Sequence, residues 1–180
     1  MHTGIERHNV KRQVKGFTLV ELMVTMVIAV ILITVGVPSM KTMYEAYRSE
    51  GEIRRIQQSL LLTRNYAVSY GTRVTMCPTA SSGCGTDWKD GFHIFIDGGA
   101  ANSIDGTDQV LQQFDAFNSS DFVTFDGSSI SFSPDGLVAT NSTSGTFVYC
   151  PGSKTSDESR GVTVSASGRI QFAINSVTCS

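Results

Sequence analysis

One carboxylate stands alone in a long apolar run. From Phe17 to Val37 the chain has 21 residues and one charge, Glu21, and no further charge comes until Lys41. As a helix this run spans about 31 Å, against a hydrocarbon core of about 30 Å. An ionised carboxylate in such a segment costs about 3 kcal/mol on insertion scales, so Glu21 is a candidate functional residue. A secretory signal peptide has a shorter apolar core followed by a small-residue cleavage site, and no Ala-x-Ala pattern follows here. The run therefore reads as a retained membrane segment. A basic leader with Arg7, Lys11, Arg12 and Lys15 precedes it, which places the leader in the cytoplasm and the rest of the chain outside.

The helix is expected to continue past the membrane. Pro38 removes a helix hydrogen bond and crowds the preceding turn, so a kink is expected there. Beyond it Met40, Met43, Tyr44, Tyr47, Ile53, Ile56, Leu60 and Ala67 recur near helical spacing, with Lys41, Glu45, Arg48, Glu50, Arg54 and Arg55 between them. This reads as an amphipathic second half ending at Tyr70-Gly71, some 80 Å of helix in all. The stretch from Ile56 to Ala67 is expected to pack on the chain's own head.

From Arg73 the pattern changes to short β-rich runs between Gly, Ser, Asp and Asn clusters. The expected strands are 73–77, 91–97, 109–114, 122–125, 129–133, 145–150, 161–166 and 169–174. Ser167-Gly168 reads as a tight turn joining the last two. The fold class is α+β, a long N-terminal hydrophobic helix packed on a C-terminal antiparallel, sandwich-like β head. The division is leader 1–16, helix 17–70 with 17–37 spanning the membrane, and head 71–180.

Charge bears on partners. From Gly71 onward the chain has five Lys and Arg against eleven Asp and Glu, an acidic head that suits nucleic acid poorly. Cys77, Cys84, Cys150 and Cys179 all fall outside the cytoplasm by the topology argument, where an even count points to disulfides. Three pairings are open. Cys77 with Cys84 and Cys150 with Cys179 is the favoured one, because the second bond would tie down an end that otherwise frays. The spacings of seven, 66 and 29 residues match no common zinc motif.

Lys15-Gly16-Phe17-Thr18-Leu19-Val20-Glu21-Leu22 resembles the processing signal of type IV pilins and type II secretion pseudopilins. The resemblance implies that a prepilin peptidase cuts after Gly16 and methylates Phe17. It implies that Glu21 pairs with the mature amino terminus of a neighbouring subunit in the filament. In the head, Trp88-Lys89-Asp90-Gly91-Phe92-His93-Ile94-Phe95-Ile96-Asp97 is similar to a block of the FimT/FimU and GspH group. Phe132-Ser133-Pro134-Asp135-Gly136, Gly145-Thr146-Phe147 and Ser167-Gly168-Arg169 are similar to later blocks of that group. Two cysteine pairs are more typical of the pilus members than of the secretion member. The expected role is assembly: an inner-membrane precursor with a periplasmic head that joins other minor pilins and primes the major pilin filament.

Other sites weigh less. Once the leader is removed His93 is the one histidine, and it lies in an expected strand with no nucleophile motif, so catalysis is not expected. Asp97, Asn102, Asp105 and Asp108 make an oxygen-rich loop, but position 109 is Gln where a calcium loop would close with Glu, and a solvated turn is expected. No metal or cofactor is expected. Arg169 bears on DNA, because some FimT proteins that take up DNA resemble this region with a Gly-Arg-x-Arg motif. Gln171 replaces the second arginine here. DNA uptake and a secretion-system role stay as alternatives to pilus priming.

Overall fold

The computed structural model describes residues 16–81, 83–173 and 176–179. The basic leader up to Lys15, and the expected end of the last strand at Ile174, lie outside the described residues. One helix, α1, runs Leu19–Tyr70. Thr18 caps it, its Oγ1 accepting the Glu21 amide at 3.2 Å. Gly71 ends it at φ 64, and the Thr72 amide donates back to the Ala67 carbonyl at 3.3 Å, the long bond of a Schellman motif. The helix runs through position 38 without interruption. The kink expected at Pro38 concerns a side chain outside the described residues.

The chain forms two compact units, one up to Met40 and one from Lys41. The first is the apolar helical stretch. In the second, two four-stranded antiparallel sheets share a core with the helix. The strands are β1 (Val74–Pro78), β2 (Phe92–Ile96), β3 (Gln109–Phe114), β4 (Phe122–Thr124), β5 (Ile130–Phe132), β6 (Gly145–Cys150), β7 (Arg160–Val164) and β8 (Ile170–Phe172). One sheet has the order β3-β2-β1-β5 and the other β4-β6-β7-β8. The eight strands fall within a residue or two of the sequence-based bounds. Between β7 and β8 the turn starts earlier than Ser167: the Gly168 amide donates to the Ser165 carbonyl at 2.9 Å, with Gly168 at φ 74. A short 3₁₀ turn, Trp88–Asp90, precedes β2 and sends the indole inward.

Packing follows the two periodicities. Along α1, Ser49, Ile53, Ile56, Leu60, Thr63 and Ala67 are buried, alternating steps of four and three that keep one face inward. Facing them are Val74 and Met76 of β1, Ile94 of β2, Ile130 and Phe132 of β5, Phe147 and Tyr149 of β6, and Val162 and Val164 of β7. Trp88 meets Phe147 edge-on at 4.8 Å, and its Nε1 donates to the Gly127 carbonyl at 3.1 Å, so the buried indole keeps a polar partner. The inward face starts at Ser49 and not earlier. Met43, Tyr44 and Tyr47, read from sequence as part of the same stripe, are exposed. At about 100° per residue they fall on the far side of the helix from Ser49 and Ile53.

Three arginines stitch the helix to the head. Arg48 Nη2 donates to Asp121 Oδ1 at 2.7 Å, Arg55 Nη2 donates to the Asp115 carbonyl, and Arg64 Nε donates to the Gly136 carbonyl at 2.8 Å. A Cβ at Gly168 would run into that same Gly136 carbonyl, and Val138 N bonds to the Ala166 carbonyl at 3.1 Å. The Ser-Pro-Asp-Gly and Ser-Gly-Arg blocks, 31 residues apart between their second glycines, thus meet over Arg64.

Candidate functional site

Gly16 and Phe17 precede the helix, and Phe17 is among the most exposed apolar side chains in the chain. Glu21 falls at the third helical position. With Thr18 as cap this is the Thr-x-x-Glu spacing of a capping box, and a first-turn acid also suits the positive end of the helix dipole. That local reason for Glu21 was legible in the sequence and is separate from any role in a filament. The helix holds one stretch long and apolar enough to cross a membrane, and none of it is covered by protein. Its hydroxyls are satisfied within the helix. Thr25 Oγ1 donates to the Leu22 carbonyl at 2.9 Å, and Thr34 Oγ1 reaches the Val30 and Ile31 carbonyls at 3.0 Å. This suits an environment without water. The Glu21 carboxylate is exposed, and no ion pair among the described residues includes it.

Both cysteine pairs in the structure are joined. Cys77–Cys84 has a Cα separation of 5.5 Å and closes the loop after β1, and Cys150–Cys179 has one of 6.2 Å and fixes the C-terminal segment to the end of β6. Around the second bond Val148, Phe122 and Val177 form a small apolar cluster.

Two buried carboxylates organise the head, and sequence reasoning found a role for neither. Asp121 is fully buried and accepts from Arg48, from the Gly152 amide at 3.0 Å and from the Tyr149 hydroxyl. Burial, and then the bond to Asp121, push the Tyr149 phenol well above its usual range. Asp97 is buried beside Arg73 at 2.8 Å. It also accepts from Thr75 Oγ1 at 2.7 Å and from the Asn102 amide at 2.8 Å. Asn102 sits at φ 63, a conformation that asparagine tolerates better than most residues. No local motif marks either pair, because the partners come from elements far apart in the chain.

The acidic loop serves itself. Asp105 accepts from the Ala100 and Thr107 amides, and Asp108 from the Gly98 and Asp105 amides, at 2.7–2.9 Å. Its carboxylate oxygens therefore meet backbone N–H groups, and among the described residues no metal-holding cluster of such side chains forms. His93 lies in β2 opposite Cys77 and Gln113, its Nδ1 buried without a hydrogen bond. Burial holds it toward the neutral form. Arg169 is exposed at the base of the β7–β8 turn, two residues from Gln171 on the same side of β8.

Two family profiles match. One, described as "Type II transport protein GspH", matches residues 52–168, and the other, "Prokaryotic N-terminal methylation motif", matches residues 11–37. No curated protein matches. Among solved structures the chain is similar to the type IV minor pilin FimU of Pseudomonas aeruginosa. That match has 22% identity over 73% of this chain and 95% of that one, with a TM-score of 0.60. It is also similar to EpsH, a minor pseudopilin from the type 2 secretion system of Vibrio cholerae. Here the identity is 13% over 70% of this chain and 96% of that one, with a TM-score of 0.51. At these identities the likeness is one of fold.

Proposed function

From the premise that the chain belongs to the GspH family of minor pilins and pseudopilins, we propose that it is a minor type IV pilin that primes filament assembly and catalyses no reaction. The precursor sits in the inner membrane with its head in the periplasm. A prepilin peptidase cuts after Gly16 and methylates Phe17. The mature chain joins other minor pilins in a tip complex that starts the major pilin filament. The observation that carries this reading is the Glu21 carboxylate, exposed in a helix whose large apolar side chains are uncovered. A carboxylate in that setting becomes tolerable when an opposite charge meets it, and the new amino terminus of a neighbouring subunit supplies one.

The test is the amount of major pilin sheared from cells lacking this chain, complemented with wild type or with Glu21→Ala. Loss of surface pilin without the chain, and its return with wild type, is the expected result. Glu21→Ala should insert normally yet enter filaments about tenfold less or worse, the scale of one lost buried charge partner. Normal incorporation of that variant removes the charge-pairing account. Unchanged surface pilin in the deletion removes the priming role. A second reading, a minor pseudopilin of a secretion machine, is favoured by the description of the family profile itself. Under it, deletion would leave surface pilin intact and stop export of a secreted enzyme.

A further inference from the structure

Four exposed residues sit together just past the apolar segment. Met43 is 54% exposed, Tyr44 62% and Tyr47 73%, and Lys41 Nζ lies 3.7 Å from Glu45 on the same stretch. The Arg48 guanidinium lies 5.2 Å over the Tyr44 ring. The head packs on the opposite face of this stretch, through Ser49 and Ile53. We propose that Met43, Tyr44 and Tyr47, with Lys41, form an interfacial band that lies in the phosphoglyceride headgroup layer where the helix leaves the bilayer. The inference deepens the assembly reading and rests on one part of it, the membrane-spanning run.

Three observations favour lipid over another occupant. First is depth. Tyr44 and Tyr47 follow Val37 by seven and ten residues, about 10 and 15 Å of helical rise. Helical side chains lean back over the turn before them, which brings the rings down by roughly 5 Å. That places them about 5–10 Å above the hydrocarbon edge, and the headgroup layer of one leaflet is about 5–8 Å thick. Second is chemistry. Tyrosine presents an apolar ring and a polar tip, and a lysine beside it reaches phosphate, the composition enriched at membrane surfaces. Third is extent. A stripe meant for a partner helix repeats every three or four residues along its length. Here the outward face continues as Gly51, Gln58 and Asn65, with Leu61 its one later apolar residue. Apolar residues to Val37, an amphipathic band to Tyr47 and a mostly polar surface after it match the order of hydrocarbon, headgroups and water.

The test is hydroxyl-radical footprinting of the full chain in nanodiscs of phosphatidylethanolamine and phosphatidylglycerol, read residue by residue by mass spectrometry. Tyr70 is the internal reference, because it lies on the same helix and is 56% exposed. The expected result is oxidation of Tyr44 and Tyr47 at least about fivefold slower than of Tyr70, with Met43 protected alongside. Met23 and Met26, inside the apolar run, report on the span itself. Protected Met23 and Met26 with Tyr44 and Tyr47 as reactive as Tyr70 overturns the band and leaves the span standing. Reactive Met23 and Met26 overturn both. Protection of the tyrosines only after other pilin subunits are added also overturns the band, and assigns the stripe to a protein partner.

Discussion

Asp121 has no access to solvent, and Arg48, Tyr149 and the Gly152 amide all donate to it. Removing one member of such a buried pair leaves the other uncompensated. Asp121→Ala is therefore expected to destabilise the head by about 3 kcal/mol or more, measured by denaturant unfolding of the full chain in micelles. Tyr149 gives a pH dependence. Its phenol is held neutral in the fold, so its contribution is complete below the ordinary tyrosine pKa near 10 and is lost as pH rises beyond it. The unfolding midpoint should fall above about pH 10, and Tyr149→Phe should flatten that fall. His93 works at the other end. Its folded pKa is lowered, so stability is complete above the ordinary histidine value of 6.5 and declines as pH drops below it. His93→Gln should remove that decline. The disagreement of a flat acid limb in wild type would show that the His93 ring is solvated. At this scale the sequence was legible where neighbours in the chain interact, as Thr18 and Glu21 do. It was silent on Asp121 and Asp97, whose partners are set only once the sheets have formed.

At the scale of elements, turn chemistry marked the eight strands, because Gly, Ser, Asp and Asn fix where pairing stops. Periodicity did less well on α1. Its apolar positions to Tyr47 and those from Ile53 both have helical spacing, but the six-residue gap between them turns the stripe by about 120°. Spacing reveals that a face exists, and only phase says which way it points. The β7–β8 turn is where one residue governs an element. Gly168 has φ 74 and lies against the Gly136 carbonyl beside Arg64. Gly168→Ala combines a left-handed backbone with a collision, and should cost about 2 kcal/mol or more, with lost exchange protection confined first to β8. The disulfides differ in weight. Opening the bond at Cys150–Cys179, with 29 residues of separation, should cost roughly 3 kcal/mol. Cys77→Ser with Cys84→Ser removes a seven-residue closure and should cost roughly 2 kcal/mol.

For the whole molecule, charge decides between two kinds of partner. The part from Gly71 carries a net formal charge of -6, and Arg169 stands exposed without the second arginine of the DNA-uptake motif. The full chain is expected to show no saturable binding to duplex DNA at about 0.15 M salt, and Arg169→Ala should change nothing. Salt-sensitive binding abolished by that substitution would make the chain a DNA receptor. The architecture, a long helix with a β head, was legible from the apolar run and the later change of period. The sheet order β3-β2-β1-β5 and β4-β6-β7-β8 was not, since it depends on pairings between distant strands. The three arginine stitches carry a mechanical meaning. Arg48, Arg55 and Arg64 lie along one helix and grip three separate turns of the head. A pull along the axis of that helix loads all three grips together, in shear, and none can be peeled open ahead of the others. The head is built to bear tension along α1.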